Sequence, residues 1–215
     1  MSDLAFQNPE KLEALADLTS GVPAPCFAEI VIRTGQLETM KLWYQAVLGV
    51  KPFLDQRRPR SNAAAPQGAT RAADLQGVCF FDMRPEEPTT QILGLFGFWD
   101  LKQREADHNG LDHFKFYHRN LGELFDRVER LLDAGFTPYR SANHGPDSSF
   151  YFMDPDSNRV ELSCSNFPTL EEKMRFIQSD AFKKNISGID VDPREYIARF
   201  RTGTPQSELV KIPEA

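Results

Sequence analysis

Three cysteines in 215 residues are too few and too scattered to staple a fold. Cys26, Cys79 and Cys164 are odd in number and fit neither a disulfide framework nor a zinc-ligand spacing. They read as buried or free thiols in a reducing compartment. The sequence also lacks any run of the ~18 apolar residues that a membrane span needs. Met1 to Thr19 is polar and acidic, without the apolar stretch of a signal peptide. Together these absences point to the cytoplasm and to no membrane partner. Basic charge is scarce as well: 25 Lys and Arg face 31 Asp and Glu, a net charge of −6. No block of Lys and Arg is dense enough to track a phosphate backbone, which argues against a nucleic-acid partner.

What the sequence does have is core-forming bulk and an internal repeat. Seventeen phenylalanines and 40% hydrophobic residues are ample for a globular core. The segment Glu29-Ile-Val-Ile-Arg-Thr-Gly-Gln-Leu37 matches His113-Phe-Lys-Phe-Tyr-His-Arg-Asn-Leu121. Each is an alternating strand, a polar break and a leucine that opens an amphipathic helix. The first helix is predicted over Leu37 to Leu48 and the second over Leu121 to Ala134. Each ends at a glycine, Gly49 or Gly135, suited to a left-handed cap, with proline three residues on. Asn120 with Glu123 makes a capping-box-like start.

Two more strands should complete each unit. In the second they are Ser149–Met153 and Arg159–Ser163, joined by the turn Asp154-Pro-Asp-Ser-Asn158. In the first they are Gly77–Phe81 and Gln91–Leu95. The expected class is α+β, with paired βαβββ modules at 25–100 and 110–166 in a core domain of 25–166. A helical extension over 1–24 and another over 167–215 flank it. Within these, helices are predicted at Pro9–Asp17, Thr169–Lys183 and after Asp192-Pro193. They would pack outside the core or bridge two protomers of a homodimer. Gln56–Leu75, rich in Arg, Ala and Pro, reads as a long loop, either a lid or an insertion without a role.

Strand alternation places Glu29, Val31 and Arg33 on one face and Ile30 and Ile32 on the other. His113, Lys115 and Tyr117 likewise oppose Phe114 and Phe116, and Arg159, Glu161 and Ser163 oppose Val160 and Leu162. The apolar faces belong on the helices, so the ionisable faces should line a cleft. Glu29, His113 and Glu161 could there supply one imidazole and two carboxylates to Fe(II), Mn(II), Ni(II) or Zn(II). Equally, the two carboxylates could simply pair with Arg33, Lys115 or Arg159. His108 and His118 fit surface or capping roles better, and Trp43 and Trp99 fit the core or the cleft wall.

The run Asn143-His-Gly-Pro-Asp-Ser-Ser-Phe-Tyr151, with Asp154-Pro-Asp-Ser-Asn158 and Val160-Glu-Leu162, resembles the signature of the vicinal oxygen chelate superfamily. Single-domain relatives of type I extradiol dioxygenases are the branch it looks most like. The resemblance implies the glyoxalase/extradiol dioxygenase fold of paired βαβββ modules with extra terminal helices. It implies that His113 and Glu161 ligate a divalent metal, Fe(II) first among the candidates, with Glu29 where the dioxygenases carry histidine. Tyr151 and His144 fall at catalytic positions beside the substrate. Arg33, Lys115, Tyr117, Asn143 and Ser149 are expected to bind a small-molecule substrate. The family's histidine pair before the first module's last strand is replaced here by Glu86-Glu-Pro-Thr-Thr90. Three activities stay open: an oxygenase acting on a small oxygenated aromatic compound, a non-oxidative isomerase, epimerase or lyase, and a ligand-sequestering protein without turnover.

Overall fold

The computed structural model describes residues 27–60, 75–84, 91–102 and 110–212. Its first module runs β1 (Glu29–Thr34), α1 (Leu37–Leu48), β2 (Leu54–Arg57), β3 (Leu75–Asp82) and β4 (Ile92–Phe98). Its second runs β5 (His113–Tyr117), α2 (Leu121–Asp133), β6 (Arg140–Asn143), β7 (Asp147–Met153) and β8 (Arg159–Ser165). The sheets have the same order, β1-β4-β3-β2 and β5-β8-β7-β6, and in each the last three strands of the module pair antiparallel while the first strand lies parallel to the last. The repeat read from the sequence is therefore a repeat of topology, strand for strand.

Local chemistry sets the helix ends. Asn120 accepts the Glu123 amide at 2.9 Å, which satisfies one of the free donors at the start of α2. Gly49 closes α1 at φ 66°, and its amide donates to the Gln45 carbonyl at 2.9 Å. Both helices bury their apolar stripes in one shared core: Met40, Tyr44 and Val47 from α1 join Leu124, Phe125 and Val128 from α2. Each such side chain contributes roughly 1.5–3 kcal/mol by leaving water. Cys79 and Cys164 are buried in the same core, as expected for structural thiols.

Polar contacts lock the modules together. The Tyr44 hydroxyl donates to Asp154 Oδ2 at 2.7 Å, and Gln36 Nε2 donates to Asp156 Oδ1 at 2.6 Å. The turn recognised as Asp154–Asn158 thus doubles as a docking peg on the first module. Asp154 Oδ1 also accepts the backbone amides of Asp156 and Asn158, which shapes the peg itself. On the other side, Arg127 of α2 donates to the Val47 carbonyl in the last turn of α1 at 3.3 Å, a cation where the helix end is negative.

The C-terminal segment departs from expectation in two ways. The helix read over Thr169–Lys183 is two helices, α3 (Leu170–Ile177) and α4 (Asp180–Lys184). Ser179 interrupts it, because its hydroxyl caps the second helix by accepting the Phe182 amide. A strand not foreseen, β9 (Ile189–Asp190), then pairs with β6 and widens the second sheet to five strands. The helix after Asp192 is present as α5 (Pro193–Arg201), with Asp192 capping Glu195, and α6 (Gln206–Leu209) follows. The predicted helix at Pro9–Asp17, most of the Gln56–Leu75 loop, His108 and Glu86–Thr90 lie outside the described residues. Among the described residues no helix is long and apolar enough to cross a membrane.

Candidate active site

The face of the second sheet turned away from α2 carries the ionisable residues. Strand pairing sets Lys115 beside Glu161, Glu161 beside Tyr151, and Ser149 beside Ser163. Glu161, in the middle of β8, is only 2% exposed. A carboxylate so buried needs partners, and three meet it. His113 Nε2 lies 3.0 Å from Oε2, the Ser149 hydroxyl donates to Oε1 at 2.6 Å, and Lys115 Nζ lies 3.2 Å from Oε1.

A second carboxylate extends the cluster. Asp147, at the start of β7, accepts Lys115 Nζ at 2.8 Å, Lys173 Nζ at 2.6 Å and the Tyr117 hydroxyl at 3.1 Å. Burial pushes its carboxyl up, but the two ammonium groups outweigh that and hold it below the usual carboxylate range. Lys115 thus bridges Glu161 and Asp147, and Lys173 ties α3 to the site. Asp147 and Lys173 were not singled out from the sequence. Period-two alternation with Ser149 and Tyr151 could have found Asp147; nothing local could have found Lys173.

Beyond Tyr151 lies His144. Its Nε2 is 2.8 Å from the Tyr151 hydroxyl. Burial pushes the imidazole below its ordinary value, and Arg140 adds to the effect. The Tyr151 phenol is pushed up to about 12, by burial first and then by the Glu161 charge. At neutral pH the pair is an uncharged imidazole against an intact phenol. The His113 and Tyr151 rings meet edge to face at 5.8 Å, which joins this pair to the Glu161 cluster.

The remaining expected residues lie as follows. Glu29 is exposed at the start of β1, in the other sheet. Arg33 lies over the Phe98 ring at 4.7 Å. Asn143 is buried, and its amide is engaged by the scaffold: it donates to the Val210 carbonyl and accepts from the Gly145 amide and Asn166. Those bonds shape the β6–β7 turn. His118 accepts from Arg127 Nε at 3.0 Å and has its other ring nitrogen 3.4 Å from the Ser163 carbonyl, a structural role. A cavity of about 820 Å³ opens beyond the end of β5 and shares Lys115 and Tyr117 with the cluster.

The donor chemistry suits a divalent cation only in part. His113 and Glu161 offer one nitrogen and one carboxylate, already side by side. Among the described residues, however, no three His, Cys, Asp or Glu side chains come together in a group that could hold a metal ion. Glu29 does not join the other two here.

Comparison with known proteins fits this geometry. Residues 27–162, both modules complete through the middle of β8, match the model of the Glyoxalase/Bleomycin resistance protein/Dioxygenase superfamily. The chain belongs to that superfamily. Within it, the chain is 30% identical over 185 residues to biphenyl-2,3-diol 1,2-dioxygenase 3 of Rhodococcus globerulus, covering 86% of this chain and 87% of the relative. It is 29% identical, over the same share of this chain, to biphenyl-2,3-diol 1,2-dioxygenase 2 of the same organism, covering 86% of that relative. Among solved structures, it is similar to lactoylglutathione lyase from Agrobacterium tumefaciens, with 21% identity, a TM-score of 0.43, and coverage of 66% of this chain and 95% of the other.

Proposed function

We propose that this superfamily member is a divalent-metal-dependent, extradiol dioxygenase-like enzyme that acts on a small oxygenated aromatic compound. The observation that carries the proposal is the buried Glu161 carboxylate with His113 Nε2 at 3.0 Å. Kinship to two proteins named as biphenyl-2,3-diol dioxygenases supports the choice of reaction and substrate class. His113 and Glu161 would hold the metal, with Glu29 the candidate for a third protein ligand and Fe(II) the leading metal ahead of Mn, Ni or Zn. When bound, the metal would supply a chelating centre for vicinal substrate oxygens and for O₂.

The chain's own residues have separable tasks. Ser149 donates to Glu161 Oε1, so the other oxygen, Oε2, is the one turned to His113. Lys115 balances the charge of Glu161, and its second partner Asp147 keeps it oriented. The phenol of Tyr151, with its proton retained, can donate to a substrate oxygen. His144, neutral at working pH, can take up a proton released from a substrate hydroxyl.

The test is anaerobic reconstitution with Fe(II), metal analysis, and a catechol panel followed for coloured ring-cleavage product and O₂ uptake. One metal per chain, and turnover lost in Glu161→Gln and His113→Ala, is the expected result. Stoichiometric metal without O₂ uptake refutes ring cleavage and favours a non-oxidative isomerase or lyase. Wild-type ligand binding in Glu161→Ala, with no metal at any pH, leaves a binding protein.

A further inference from the structure

The cavity of about 820 Å³ beyond the end of β5 lies beside the Glu161 cluster, not within it. Lys115 and Tyr117 reach its wall, but His113, Ser149, Tyr151 and Glu161 take no part in the lining. In a chain of net charge −6 its own charge is reversed: Arg84, Arg119 and Arg127 line it, with Glu123 the one carboxylate among the described lining residues. Lys115 adds no excess, because Glu161 and Asp147 already hold it. Glu123 is turned to the backbone and accepts the Arg119 amide at 3.3 Å.

Among the described residues no carboxylate comes within ion-pair distance of the Arg119 or Arg127 guanidinium. Arg127 is half-buried and donates to two neutral acceptors, the His118 imidazole at 3.0 Å and the Val47 carbonyl at 3.3 Å. Its place is fixed by the end of α1, where a Cβ on Gly49 would lie 2.7 Å from Nη1. A half-buried cation without an anion is costly to keep. A guanidinium held in place is also suited to a carboxylate, which it meets with two parallel hydrogen bonds. Leu48, Val50, Met83 and Phe116 add apolar wall to the same space, whose volume accommodates a small organic molecule. We propose that this cavity is a second ligand site, specific for a small organic carboxylate whose acid group meets Arg119 and Arg127 and whose apolar body lies on Leu48, Val50, Met83 and Phe116. It stands apart from the proposed function, since neither metal nor turnover enters it.

Titration calorimetry on the metal-free full chain tests it, with 2-naphthoate, the neutral 2-naphthamide and inorganic phosphate as probes. Naphthoate should bind with a Kd of about 1 mM or below, and the amide roughly tenfold more weakly or not at all. Arg119→Gln should weaken naphthoate by roughly tenfold. Glu123→Gln should tighten it, and glutamine still serves at that position of the capping box. Both side chains are exposed, so the fold survives these replacements. His113→Ala should leave naphthoate binding unchanged. Equal binding of naphthoate and amide, or no effect of Arg119→Gln, overturns the proposal. A loss in His113→Ala as large as in Arg119→Gln puts the probe in the Glu161 cluster and overturns it too. Phosphate binding as tight as naphthoate shows a hole for bare anions and removes the organic specificity. Naphthoate bound as expected by a protein inactive on every catechol leaves this site standing and sinks ring cleavage alone.

Discussion

Replacing Asp147 with Asn removes one negative charge and leaves the shape almost unchanged. Asp147 is 8% exposed and accepts two ammonium groups and a phenol. A hydrogen bond to a charged group contributes about 1.5–3 kcal/mol when well shielded. Lys115 is a third exposed and Lys173 a fifth, so solvent screening lowers each to about 1 kcal/mol. The expected loss is therefore about 2–3 kcal/mol at pH 7. With a urea slope of about 2 kcal/mol per molar, the midpoint should fall by about 1–1.5 M. The pH dependence has a definite sign. The folded carboxyl lies below its ordinary 3.8, so between the folded value and 3.8 the unfolded chain binds more protons. Stability from this group is thus complete above that window and lost as pH falls through it. The variant lacks the group, so the gap between the two proteins should narrow on going from pH 5 to below pH 3. A double-mutant cycle with Lys173→Met should show coupling of about 1 kcal/mol. A loss under 0.5 kcal/mol at pH 7, or a gap that is flat with pH, would refute the description of Asp147 as a charge anchor.

Tyr44→Phe removes the donor to buried Asp154, and urea unfolding should show a loss of about 1.5–3 kcal/mol. Burial already raises the Asp154 carboxyl above 3.8 and the Tyr44 bond opposes this, so the variant should lose further stability as pH rises from 4 to 7. Glu161→Gln should cut metal affinity at least 100-fold, measured by competition with a chromogenic chelator, whereas Arg33→Met should change it less than threefold. The thiols of Cys79 and Cys164, both pushed up to about 11 chiefly by burial, should resist a disulfide reagent in the native protein and react on unfolding.

Legibility in the sequence followed the range of the interactions. The modules, the helix caps at Asn120 and Gly49 and the turn at Asp154–Asn158 are local patterns, and each lies where the sequence places it. Alternation correctly put His113, Lys115 and Glu161 on one face, because period two is imposed by the pleat. It could not say which polar residues would be engaged by the scaffold. Asn143 bonds Gly145, Asn166 and Val210, the last of them 67 positions away, and only the folded tail reveals that. β9 is two residues long, too short to leave a periodic signal. Glu29 marks the same limit: repeat equivalence to His113 is a statement about position in a module, and contact depends on how the modules meet.

Strand pairing shows why two like modules yield one polar cluster. Glu29 pairs with Ile92 as His113 pairs with Arg159, so Gly94 is the first module's counterpart of Glu161, and Val31 that of Lys115. By the antiparallel pairings, Phe80 answers to Tyr151 and Val78 to Ser149, while Phe96 answers to Ser163. Glu161, Lys115, Tyr151, Ser149 and Ser163 are each matched by glycine or an apolar residue. Gly94 is held to glycine by packing, since a Cβ there would lie 3.0 Å from the Phe80 ring and 3.2 Å from Val31. A carboxylate cannot enter the first sheet at that point without displacing Phe80. The charged centre therefore lies on one half of the duplication, and Glu29 is the acidic residue that the first sheet offers at the position equivalent to His113. The Glu29→Gln variant tests that reasoning directly. Unchanged metal affinity would make the site a His113–Glu161 pair completed by water or substrate, and a loss of tenfold or more would make both modules necessary to it.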